Sequence, residues 1–81
     1  MLIFEDSFII ITKTKKSVAN AIMVNVFLKK QNRNFFVSFQ NNGIVEYSSF
    51  GNYIKTSLPN FIKYFPYGNV IYKCVDNIMF D

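Results

Sequence analysis

An α+β fold is what the sequence predicts: a small antiparallel sheet of 4–5 strands in β-meander order, with one short helix before the last strand. Three observations carry this expectation. Apolar residues alternate with polar ones along several short segments, an Asn-Asn-Gly turn separates two of them, and the spacing becomes helical over residues 58–65. A chain of 81 residues holds one hydrophobic core, and no Pro-, Gly- or Ser-rich linker, repeat or low-complexity tract divides it. Residues 1–81 are therefore read as a single domain.

Residues 7–12, rich in Ile and Phe, read as a buried strand, and the polar run 12–17 reads as a turn. Residues 18–28 admit two readings. As a strand they place Ile22, Val24, Val26 and Leu28 on one face, with Ala19, Ala21, Met23 and Phe27 on the other. As a helix capped by Ser17 they are apolar almost all round. The β-branched side chains favour the strand, because they fit a pleated surface better than a helical turn.

Residues 34–40 and 44–50 flank Asn41, Asn42 and Gly43, and a hairpin is expected there. Register selects the loop length. A two-residue loop sets Phe39 against Glu46 and Ser38 against Tyr47, mixing polar with apolar. A three-residue loop pairs Phe39 with Val45, Val37 with Tyr47 and Phe35 with Ser49, and puts Gly43 in the left-handed position such a loop requires. Phe36 then shares the polar face with Ser38, Glu46 and Ser48, which makes it a candidate exposed ring.

Leu58, Phe61, Ile62 and Phe65 recur at i, i+3, i+4 and i+7 and share one face of a two-turn helix. Ser57 serves as its cap, Pro59 fits its first turn, and Pro66, Tyr67 and Gly68 stop it. Residues 69–75 alternate again, Val70, Tyr72 and Cys74 against Ile71, Lys73 and Val75, and read as the closing strand.

The chemistry-bearing residues are few. The chain has no His, the commonest general base and neutral metal ligand. Glu5, Asp6, Glu46, Asp76 and Asp81 include no pair with metal-ligand spacing, and adjacent Glu5 and Asp6 on a strand would face opposite ways. Gly43, Gly51 and Gly68 stand alone, so no phosphate-cradling loop is formed. Cys74, the only cysteine, reads as a small core hydrophobe and permits no internal disulfide. No enzyme activity, metal or cofactor is expected. The single cysteine points to a reducing, cytoplasmic setting. The apolar stretch 8–11 is too short to span a membrane, and Glu5 and Asp6 stand where a signal peptide carries Lys or Arg.

Ten Phe and five Tyr exceed what so small an interior needs, so some rings are expected on the surface. Tyr53, Tyr64, Tyr67 and Tyr72, with Lys63, form the candidate partner-binding set, since Tyr offers a rigid face with a polar tip. The net charge of +4 is uneven: Lys13, Lys15, Lys16, Lys29, Lys30 and Arg33 fall within residues 13–33 with no acid among them. Together with Phe36 they form a candidate nucleic-acid site, although exposed Lys also simply solvates an aromatic-rich chain. A single strand over 18–28 would hold the two basic clusters roughly 35 Å apart, at about 3.3 Å per residue.

The function expected is non-enzymatic: a small binding protein acting stoichiometrically on a protein or nucleoprotein partner by occlusion. By association, a chain of this size opening on Met suggests an inhibitor encoded by a virus or mobile element. The alternative is an RNA or single-stranded DNA-binding module using residues 13–33. A third reading is a homodimer joined through a sheet edge, rather than a monomer, because the strands carry little edge protection.

Overall fold

The structure, a computed structural model, describes residues 1–14, 21–49 and 51–79. Its first hairpin is built on Asp6, whose Oδ1 accepts hydrogen bonds from the backbone N–H groups of Phe8 (2.7 Å) and Ile9 (3.0 Å). This Asx turn reverses the chain between β1 (Leu2–Glu5) and β2 (Ile9–Lys13). Asn32, at φ 52°, lies in the turn from β3 (Ala21–Leu28) to β4 (Arg33–Gln40), and Asn tolerates the left-handed region better than most residues. Gly43, at φ 84°, turns β4 into β5 (Ile44–Ser49), which is followed by β6 (Asn52–Ser57). Among the described residues these six strands form one antiparallel sheet in the order β1-β2-β3-β4-β5-β6.

Two helices follow. Ser57 caps α1 (Leu58–Tyr64) by accepting from the Asn60 N–H at 3.3 Å, and Pro59 occupies its first turn. The second helix, α2, runs over Gly68–Met79. A side chain at position 68 would place its Cβ 2.5 Å from the Phe61 carbonyl oxygen, so glycine is what lets α2 start against the end of α1. Both helices pack on one face of the sheet. Ile9, Ile11, Val24, Val26, Leu28, Val37 and Val45 from the strands meet Phe61, Ile71 and Val75 from the helices, and all are essentially inaccessible to water. Phe35, Phe39 and Phe65 complete the core. Phe61 and Phe65 stack at 4.6 Å, while Phe35 meets Phe65 and Phe39 meets Phe61 edge to face at 5.2 and 5.3 Å.

The α+β arrangement, the antiparallel meander, the strand within residues 18–28 and the helix beginning at Leu58 agree with the sequence reading. So do the pairings Phe39 with Val45 and Val37 with Tyr47. Three expectations are corrected. The strand count is six rather than 4–5, because Leu2–Glu5 and Asn52–Ser57 also pair. Both are edge strands whose exposure pattern shows no clean alternation, so the periodic signal was weak there. The expected closing strand over 69–75 is α2, and the helices therefore number two rather than one. Residues 70–75 are apolar at both parities, so a period of two could be read, but Ile71 and Val75, one helical turn apart, are the fully buried pair. Packing on the sheet overrides the β propensity of Val70, Ile71 and Val75. Finally, the strand expected over 7–12 begins at Ile9, and Phe8 lies exposed in the turn before it.

Candidate interaction surface

The described helices cover one face of the sheet and leave the other face open. Strand pairing sets Leu2, Thr12, Asn25, Phe36, Ser48 and Tyr53 in one row across all six strands. Glu5, Ile10, Phe27 and Asn34 form the row on one side of it. Met23, Ser38, Glu46 and Lys55 form the row on the other. Phe36 is 50% exposed and Tyr53 76%. Ser48 is buried between these two residues in the central row. The rings stand on paired strands, so the backbone that carries them is set before any partner arrives.

The electrostatics of this face are nearly balanced. Lys55 Nζ lies 3.5 Å from Glu46 Oε1. At the corner near β1, Lys29 Nζ meets Glu5 Oε2 at 3.0 Å and donates to the Asp6 carbonyl at 2.7 Å. Lys30 is exposed in the following turn, and the Arg33 guanidinium sits 5.2 Å from the centroid of the Phe35 ring. Lys13 pairs with Val24, while the Lys29 N–H bonds to the Phe8 carbonyl. Five residues of β2 therefore separate Lys13 from Lys29, about 17 Å. For Lys13 this is shorter than the roughly 35 Å expected between the clusters, because β2 carries it back alongside β3. Lys15 and Lys16 lie outside the described residues.

The tyrosines expected to act together are dispersed. Tyr53 belongs to the open face. Tyr64, 72% exposed, projects from α1 with Lys63 Nζ 5.2 Å from its ring centroid. Tyr67 adopts φ 58° in the turn between the helices, an uncommon conformation for so large a residue, and its ring stacks on Phe8 at 6.0 Å. Tyr72 is half-buried on α2, packs near Phe39 and directs its hydroxyl to Asp76 Oδ1 at 3.5 Å. Leu2, Ile10 and Phe27, which share the open face on β1, β2 and β3, were not singled out from sequence. For Phe27 the signal existed, since it falls on the face opposite Ile22, Val24, Val26 and Leu28.

Two depressions are smaller features. A groove of about 470 Å³ between β6 and α1 is lined by Arg33, Phe35, Tyr47, Ile54, Tyr64 and Pro66, among others. An apolar hollow of about 170 Å³ lies among Phe39, Ile44, Leu58 and Tyr72. Burial raises the pKa of the Cys74 thiol above its ordinary value, which disfavours the reactive thiolate. Among the described residues, His, Cys, Asp and Glu form no group able to hold a metal ion. No described helix is long and apolar enough to cross a membrane. No protein-family model, curated protein or solved structure matches the chain.

Proposed function

We propose that this chain is a non-enzymatic binding protein acting stoichiometrically on a protein or nucleoprotein partner, and that the open face of the sheet is the surface it presents. The observation that carries the reading is the placement of Phe36 and Tyr53, half and three-quarters exposed, in one row of a face that no helix covers. Contiguous exposed apolar surface marks contact sites, and aromatic anchors lead in interface energetics. The occupant that fits is a protein surface with an apolar patch: its side chains would desolvate the rings, while Thr12, Ser38 and Asn34 supply hydrogen bonds around them. Charge argues the same way. The Lys55 and Glu46 charges nearly cancel on this face, and Lys29 at its corner is engaged by Glu5, so a polyanion finds little to release counterions against. The mechanism is occlusion, in which the bound sheet blocks whatever the partner surface otherwise contacts; inhibition on behalf of a virus or mobile element is one setting for it. A cytoplasmic setting fits the single cysteine.

A second reading, RNA or single-stranded DNA binding, is favoured by one observation. Phe27, Phe36 and Tyr53 stand on an open sheet, where unstacked bases can lie against rings. Incorporation of a photo-crosslinking benzophenone side chain at position 36, and separately at the exposed position 73 of α2 as a control, separates the readings in extracts of the native host. A protein adduct of fixed stoichiometry formed from position 36, and lost when Tyr53 is also changed to Ser, supports the first. Nuclease-sensitive adducts would shift the assignment to nucleic acid. Absence of any adduct at 36 that is not matched at 73 would overturn the use of this face.

A further inference from the structure

We infer that two copies of this chain join through their β6 strands, antiparallel about a two-fold axis at Ile54, to form one continuous sheet. The two edges of the sheet are not equivalent. At one, β1 is four residues long and its register is shifted between Leu2 and Phe4, the kind of irregularity that discourages pairing. At the other, β6 is six residues long, about 20 Å, and its register with β5 is unbroken.

Hydrogen-bond alternation identifies which groups β6 offers. The Leu58 N–H donates to the Gly43 carbonyl at 2.9 Å, and this pair continues the β5–β6 register. In an antiparallel ladder bonded pairs recur at every second residue, so Thr56 and Ile54 exchange bonds with β5. Tyr53 and Lys55 then turn their N–H and C=O groups to the open edge. A second copy must match these groups, which limits the registers. Placing Lys55 opposite Lys55 of the second copy sets like charges face to face and is disfavoured. Placing the axis at Ile54 pairs Tyr53 with Lys55 of the other copy in both directions, with four backbone hydrogen bonds and two contacts of ammonium with ring.

The same register satisfies both faces of the joint. Ile54, 49% exposed, lies on the helix side beside the groove between β6 and α1. Its position opposite Ile54 of the other copy is a non-hydrogen-bonded pair, the geometry that brings side chains closest. Ile54 and Tyr64, both exposed at this edge, are thus drawn from water. On the open face, Glu46 and Lys55 of one copy continue into Tyr53 and Ser48 of the other, so opposite charges and rings alternate across the joint. The area is that of one edge and a few side chains, which places dimerisation in the micromolar range rather than the nanomolar. The joint shares Tyr53 with the partner-binding reading but leaves Phe36 open two strands away, so dimerisation with no partner adduct at position 36, or the reverse, tells failure of one from failure of the other.

Two measurements test the joint. Sedimentation equilibrium of the whole chain is expected to show monomer and dimer exchanging over micromolar concentrations. Lys55→Pro is expected to raise the midpoint by about tenfold or more, because it removes an outward N–H without breaking the β5 ladder. Circular dichroism verifies that this variant folds. In a Cys74→Ser background, Ile54→Cys is expected to form an intermolecular disulfide under mild oxidation, since facing Cα atoms about 4.5 Å apart allow one. Thr56→Cys is expected to remain unlinked. Monomer throughout the micromolar range with Ile54→Cys unlinked would overturn the proposal, and so would preferential linkage at position 56.

Discussion

The two faces of this sheet come from the same strands, yet one is covered and the other is open. On the covered face, most alternate residues of β2, β3, β4 and β5 are aliphatic or aromatic and buried, and Phe61, Phe65, Ile71 and Val75 from the helical layer close over them. On the open face, the intervening positions carry Thr12, Asn25, Ser38 and Glu46 beside Ile10, Phe27 and Phe36. An antiparallel sheet can keep one face in water, and the usual result is a clean alternation of apolar and polar. Here the alternation is incomplete. The covered face is apolar enough to hold the fold, while the open face keeps Phe36 and Tyr53 exposed, which is why it is the surface proposed for contact.

The sharpest test of this contrast is a pair of truncations. Phe61→Ala removes a fully buried ring in contact distance of Phe39, Tyr47 and Phe65 and should cost about 3–5 kcal/mol, a large part of what a domain of this size possesses. Phe36→Ala should cost about 1 kcal/mol or less, since half of the ring is already in water, while removing the anchor for a partner. Urea unfolding of both variants measures the difference. Equal losses would mean that Phe36 belongs to the core and would break the distinction between the faces.

Next in size is the join between the helices, on which the covered face depends. Gly68→Ala places a methyl group where the Phe61 carbonyl oxygen stands at 2.5 Å and the Ile62 Cα at 3.0 Å. Backbone atoms cannot rotate away as a side-chain tip can, so α2 must shift from α1. A loss at the upper end of about 1–3 kcal/mol is expected in thermal unfolding. A neutral outcome would show that the helices can move without disturbing the core.

The same contrast explains what the sequence revealed and what it hid. Segments 21–28, 33–40 and 44–49 were legible because burial on one face imposes a period of two, and because only one register around Gly43 keeps the apolar residues together. Phe36 emerged from that register argument as an exposed ring, and it is one. The edge strands were not legible, since a strand paired on one side carries less burial and less pattern. Nor was α2: Val70, Ile71, Tyr72, Cys74 and Val75 fit either period, and only the sheet beneath them selects the helix. The proposed site was half visible for the same reason. Local spacing told which residues share a strand face, whereas the row from Leu2 to Tyr53 depends on the order of six strands, and that is a property of the assembled sheet. Of the dispersed tyrosines only Tyr72 was displaced by the misread helix, since it lies on α2 where a closing strand was expected.

The smallest effect should run in the opposite direction. Asn25 sits on β3 in the central row, between Thr12 and Phe36, and its Oδ1 is buried without a hydrogen-bond partner. A buried carbonyl left unpaired costs roughly 1–3 kcal/mol, and Asn has little preference for a strand. Asn25→Val removes the unpaired oxygen, keeps a similar volume and introduces a β-branched residue, so a gain of about 1 kcal/mol is expected. In a chain this short that corresponds to roughly 4–8 °C in the thermal midpoint. Calorimetry of the purified variant measures it. A rise in stability with weaker partner binding would mark Asn25 as a residue whose cost is tolerated for contact, in keeping with the open face as a functional surface. A rise with binding unchanged would confine that surface to Phe36 and Tyr53. A fall in stability would show that the amide is satisfied after all, and the open face would then be as settled as the covered one.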